Sequence, residues 1–134
     1  MKNIKLFLLL GVVAFAFYSF KSFVQEKEWV VPANYKTMKN PTSATDKQSM
    51  SIGKSLYSKN CQPCHGKEGL GDGPKAAEQK GDLGDFSSKA TQSQSDGALF
   101  FKITKGRNDM PAFEKKIPDA EDRWLIVNYL RTLK

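Results

Sequence analysis

Two cysteines and one histidine stand together in the run Cys61-Gln62-Pro63-Cys64-His65, and the 134-residue chain holds no others. Residues at i and i+3 of a helical turn point to one side, and i+4 shares that face. Two thiols so placed can add to the two vinyl groups on one edge of a porphyrin, and the imidazole can then reach the iron. C-x-x-C-H is the attachment signature for a c-type haem. Two other uses of these side chains compete. Zinc asks for about four ligands, and three adjacent ones seldom close a tetrahedron. A thiol–disulfide site has the Cys-x-Pro-Cys shape. Such sites sit in a βαβ setting, however, and no strand pattern is visible. Asn60, not an aromatic, precedes Cys61.

A haem iron held by His65 asks for a second soft or nitrogenous ligand, and no second histidine exists. The methionines are Met1, Met38, Met50 and Met110. Met1 lies in the leader, Met38 in a linker, and Met50 only eleven residues before Cys61. Met110 lies in the loop GRNDMPAF, where Pro111 biases it toward an extended backbone. That geometry suits a thioether held across a haem face, so Met110 is the expected distal ligand.

These residues need a frame, and the pattern is all-α. The first helix is expected over about 47–60, with Asp46 as N-cap. Gly53 lies inside it, and a mid-helix glycine costs roughly 1 kcal/mol against alanine; close approach of another helix is the usual reason. The second runs about 96–104 and stops before Gly106. The third runs about 119–132, with Asp119, Glu121 and Asp122 in its first turn, where negative charge suits the helix dipole. Ile126, Tyr129, Leu130 and Leu133 follow the i, i+3, i+4, i+7 pattern. Residues 66–95 are rich in Gly and Ser, and compact domains rarely carry thirty residues so poor in pattern. Such a stretch can wrap a bound object.

Lys2, Lys5 and the apolar run Leu6 to Phe20 read as an export signal, with Ala14 and Ala16 as a small-x-small cleavage site. The alternative is an uncleaved membrane anchor through residues 1–24, since a span needs roughly 20 apolar residues. Either reading takes the domain out of the cytoplasm, into the periplasm or onto the inner membrane. Residues 21–46, with Pro32, Pro41 and the apolar patch Trp29-Val30-Val31, are expected to be a linker or extension. The patch either packs on its own domain or docks on a larger membrane complex. The domain itself is 47–134. Charge is mildly basic, 21 Lys and Arg against 14 acidic residues. No basic block stands out, which argues against nucleic acid. Only 29 of the 88 residues in 47–134 are hydrophobic, a thin supply for a small core. A haem would complete it, with Phe86, Phe100, Ile103, Phe113 and Leu125 as candidates to pack on the ring.

With these pieces in order, residues 47–134 resemble the class I c-type cytochromes, in particular exported bacterial monohaem ones. The likeness rests on Gly53 with Tyr57, CQPCH followed by Gly66, GRNDMPAF, and DRWLIVNYLR. It implies a cytochrome c fold of about three main helices around one covalent haem. The first and last helices should cross at Gly53, with Tyr57 beside Trp124 or the Tyr129 turn. Cys61 and Cys64 would form thioethers, His65 would be the proximal ligand and Met110 the distal one. A proline carbonyl would accept the proximal imidazole N–H, and Pro74 of Gly73-Pro74 matches that element. Residues Gly81 to Ser95 depart from the compact members, so no role is carried over there. With His and Met both on iron, the implied activity is one-electron transfer rather than substrate turnover. The thioether would raise the potential within the roughly 0.8 V that axial ligands span. The expected partners are redox proteins, acidic ones steered by Lys59, Lys67, Lys75, Lys102 and Lys105, or a membrane respiratory or dehydrogenase complex of which the chain is a subunit. The runner-up is a gas-binding haem sensor or peroxidase-like enzyme with a detachable Met110.

Overall fold

The computed structural model describes residues 28–134. The export signal, its cleavage site and the alternative anchor lie outside the described residues. Six helices follow one another: α1 Ala33–Lys36, α2 Lys47–Asn60, α3 Gln62–His65, α4 Lys89–Gln92, α5 Asp96–Lys105 and α6 Ala120–Leu130, with a 3-10 turn at Ala76–Glu78. Among the described residues there is no strand, and an isolated bridge joins Arg107 and Met110. The architecture is all-α, as the residue pattern predicts. No helix among these residues is long and apolar enough to cross a membrane.

Side chains close the N-termini of the long helices. Asp46 accepts the Ser49 N–H at 2.7 Å at the start of α2, Ser95 caps α5 from Ala98, and Asp119 caps α6. Each satisfies a backbone donor that has no partner inside the helix. Helix α2 then crosses α6 at Gly53. A Cβ at that position would run into the Leu125 carbonyl oxygen, so only glycine lets the two backbones meet. One turn later Tyr57 is fully buried. Its hydroxyl donates to the Gly66 carbonyl at 2.7 Å, and its ring lies 5.0 Å from that of Tyr129. Of the two neighbours expected for Tyr57, the Tyr129 turn is the one it meets. Trp124 stacks instead on Phe100, 4.0 Å between centroids and 11° between planes.

Helix α6 is the hub. Arg123 through Asn128 are all buried, so its polar members need partners inside the protein. Arg123 donates to the carbonyls of Ile117, Pro118 and Asp119 and to Thr104 Oγ1, which fixes the chain between α5 and α6. Arg131 donates to Asp96 and to the carbonyls of Gln92 and Gln94, tying the end of α6 to the start of α5.

The expected linker is partly built into this body. Val31 is buried, Tyr35 packs its ring on Phe101 at 4.8 Å, and Gly97 has no room for a side chain because the Tyr35 carbonyl sits there. Asn40 donates to Asn128 Oδ1 at 2.8 Å, and Asn128 donates to Thr42. Residues 28–46 thus lie across α5 and α6 as a strap. Adjacent Phe100 and Phe101 face opposite ways, one to Trp124 and one to the strap.

Candidate functional site

The C-x-x-C-H turn follows α2 almost without a break. The Cys61 N–H bonds the Tyr57 carbonyl at 2.8 Å, and the N–H groups of Cys64 and His65 bond the Cys61 carbonyl. This one-turn helix sets both sulfurs and the imidazole on one side. Gly71 N–H donates to the His65 carbonyl, and Gly73 N–H to that of Cys64, so the glycine-rich chain folds back against the turn. Phe86 N–H donates to the Gly69 carbonyl at 2.8 Å, and the Phe86 ring stacks on His65 at 4.5 Å. Gln92 binds the carbonyls of Phe86, Leu130 and Leu133, locking this wall onto α6. Segment 66–95, without regular pattern in the sequence, is thus a folded wall.

On the other side, α5 ends at Gly106 and the chain makes a tight turn. Arg107 and Met110 exchange both backbone hydrogen bonds at 2.9 Å, with Asn108 at a positive φ of 51°. Phe113 N–H then returns to the Ile103 carbonyl. Met110 is thereby aimed inward, packed against the hydrophobic core.

Cys61, Cys64, His65 and Met110 all line one largely apolar cleft. Phe86, Ile103 and Phe113 line it as expected; Phe100 and Leu125 do not, because Phe100 is turned onto Trp124 and Leu125 sits at the α2 crossing. Leu99, Leu130 and Trp29 line it without having been expected to. Leu99 was legible as the residue one helical turn before Ile103. Trp29 was expected to pack on its own domain or to dock on a larger complex; its place at the cleft carried no local signal, since only the docked strap brings it there.

Pro74 is exposed and stands outside the cleft lining. The expected bond from His65 Nδ1 to its carbonyl is not formed, and Nδ1 is buried with no hydrogen-bond partner. Burial pushes the imidazole below its ordinary pKa, with the Leu83 backbone acting the other way. Burial also pushes the Cys61 thiol up to about 12. Lys102 departs from its expected role as a surface charge. It is half-buried at the cleft, donates to Gln94 Oε1 at 2.6 Å and lies over the Trp29 ring. Burial first, and Arg107 second, lower its pKa. Lys105 is engaged with Glu114 at 2.8 Å. Lys59, Lys67 and Lys75 are exposed.

The donor set fits a covalent haem. Two free thiols, a buried imidazole with an orphaned nitrogen and a thioether surround one apolar space. Among the described residues no group of three or more His, Cys, Asp or Glu could hold a metal ion by itself, which leaves the zinc alternative without a site there. A helical frame that brings such a turn and a methionine loop to one cleft defines a c-type cytochrome domain. The chain belongs to the family described as cytochrome C oxidase, cbb3-type, subunit III, whose model matches residues 48–130. Its cofactor is accordingly covalent haem c with iron, and the domain serves haem-based electron transfer. Among solved structures, a chain of the reducing HAO-like protein complex of Kuenenia stuttgartiensis is similar, with a TM-score of 0.62 and 29% identity. The likeness covers 82% of this chain and 52% of that one, so this chain spans about half the length of the solved chain it matches. No curated protein matches the chain.

Proposed function

We propose that this protein is a one-electron carrier outside the cytoplasm, with Cys61 and Cys64 as the thioether positions, His65 as proximal and Met110 as distal ligand. The observation that carries this reading is the convergence of those four side chains on one apolar cleft. Haem held between histidine and methionine supplies one-electron exchange between Fe(III) and Fe(II). The thioether favours the reduced state, which raises the potential. The chain's own residues do the rest. Tyr57 and the glycine wall fix the C-x-x-C-H turn, and the Arg107–Met110 turn holds the thioether inward. Leu99, Ile103, Phe113 and Leu130 give the cleft an apolar lining that would keep water from a bound ring. Gly73 and Lys75 bond back to Cys64 and Pro63, which holds Pro74 alongside the motif. Its carbonyl is our candidate partner for the orphaned His65 Nδ1 once the cofactor is attached.

With His65 and Met110 both bound to the iron, no position would be left for substrate, so no turnover is proposed. Exposed Lys59, Lys67 and Lys75 would steer acidic redox partners. A second reading makes the chain a subunit of a larger respiratory complex. It is supported by the similarity to a chain of a multi-subunit assembly.

The test is the visible spectrum of dithionite-reduced full-length protein before and after carbon monoxide. Sharp low-spin bands that hold on mixing with the gas and change only slowly are expected for wild type, and an immediate shift for Met110→Ala. A wild-type spectrum that shifts at once removes Met110 from the iron and favours sensing or peroxidase-like chemistry. A colourless protein from a host able to attach haem removes the whole reading.

A further inference from the structure

The residues around the Met110 cleft do not all belong to the matched domain. The family match begins at residue 48, yet Trp29 lines the same cleft as the four haem-site residues. Its ring takes the Arg107 guanidinium at 4.6 Å and the Lys102 ammonium at 5.3 Å. Arg107 is the backbone partner of Met110, through both hydrogen bonds of the turn. Lys102 stands on α5, one turn before that loop. One aromatic ring therefore bridges the rigid helix and the turn that carries the thioether.

The ring is itself held firmly. Val31, two residues on, is buried. Tyr35 packs on Phe101, the backbone of Tyr35 fills the space at Gly97, and Asn40 bonds both Asn128 and the Trp124 carbonyl. A strap anchored at several points transmits little motion to its tip. Trp29, Lys102 and Arg107 are all partly buried, and cation–π contacts gain strength as water is withdrawn from them.

We propose that Trp29 is a positioning residue for the distal ligand: the strap preceding the domain clamps the Arg107–Met110 turn and slows detachment of Met110 from iron. The inference rests on the assignment of Met110 as distal ligand. A clamp of this kind makes the reduced protein resist exogenous ligands, because carbon monoxide must wait for Met110 to leave.

The experiment uses full-length holoprotein reduced with dithionite and mixed with carbon monoxide, reading the rate of the spectral change. Trp29→Ala is expected to take up the gas about tenfold faster than wild type, which corresponds to about 1.4 kcal/mol. Trp29→Phe keeps an aromatic face and is expected near wild type. Arg107→Gln breaks the contact from the other side and is expected to resemble Trp29→Ala. Val127→Ala opens the core away from the cleft and serves as a control that lowers stability alone. An unchanged rate in Trp29→Ala and Arg107→Gln, with wild type still slow to bind the gas, overturns the clamp and leaves Met110 as ligand. An equal acceleration in Val127→Ala also overturns it, since general loosening then suffices. Rapid binding by wild type overturns the Met110 assignment itself, and the clamp with it.

Discussion

Tyr57 shows what a single side chain contributes to this site. Its ring is sealed between α2 and the Tyr129 turn, and its hydroxyl is given to the Gly66 carbonyl directly after His65. Tyr57→Phe keeps the ring and leaves that carbonyl only the long 3.4 Å bond from the Gly69 N–H. Losing one intramolecular hydrogen bond costs about 0.5–1.5 kcal/mol. The midpoint of chemical denaturation of the holoprotein should fall accordingly, while the visible spectrum of the reduced form stays that of wild type. Desolvation pushes the tyrosine pKa upward, so the hydroxyl remains a donor at any working pH. The Gly53 to Tyr57 spacing was readable beforehand because both residues lie one turn apart on α2. The choice of Tyr129 over Trp124 was not, since both stand on α6 and only the crossing decides between them.

At the scale of elements, the α2–α6 crossing sets where the C-x-x-C-H turn begins. Gly53→Ala gains helix propensity of roughly 1 kcal/mol but drives a methyl group into the Leu125 carbonyl. Backbone cannot yield as a side chain can, and overpacking of this kind costs about 1–3 kcal/mol or more. The expected outcome is a lower thermal midpoint, checked by following the haem band on heating. The other end of α2 gives a pH signature. The Ser49 hydroxyl and N–H hold the Asp46 carboxylate below its ordinary value of 3.8. The folded pKa is the lower one, so the charged cap stabilises the fold fully above the ordinary value. That contribution is lost as pH falls through the lowered folded value. Asp46→Asn keeps a capping oxygen and removes the titration. The stability difference between wild type and Asp46→Asn should therefore be level from about pH 6 to pH 4 and smaller at about pH 3, below the ordinary value, as the carboxylate protonates. Denaturant melts at these pH values check this. The Asp46 cap was legible from local sequence. The buried Arg123 was not, because its partners at 104 and 117–119 come together only when α6 packs.

Over the whole molecule, charge and the missing core are the governing quantities. The formal net charge is +7, and the exposed lysines include Lys59, Lys67 and Lys75. Oxidation of the reduced protein by anionic hexacyanoferrate should slow as salt screens this field. A decrease of roughly tenfold is the low end of steering effects. A cationic ruthenium hexaammine reagent should show the opposite trend. Charge reversal at Lys59, Lys67 and Lys75 together should flatten both dependences. Stopped-flow rates against ionic strength decide the matter. Lys102 belongs to another class. Its ammonium is half-buried over Trp29 and bonded to Gln94, so its removal should alter the cleft more than the encounter.

Local chemistry alone determined a good part of this protein. The contiguous CQPCH run named the cofactor because i, i+3 and i+4 must share a face in any helical turn. Asp46 marked the start of the first long helix because capping is decided within three residues. The shortage of apolar residues announced an incomplete core. The tertiary structure alone decided the rest. Residues 66–95 have no periodicity, and they become a wall through hydrogen bonds to residues as distant as Leu133. Phe100 and Leu125 point away from the cleft, while Leu99 and Leu130 point into it, because helix rotation is set by neighbours on both faces. Trp29 reaches the cleft through a strap whose contacts join positions 35 with 101 and 40 with 128. Contacts between residues so far apart in the chain leave no local pattern, so only the folded backbone could reveal them.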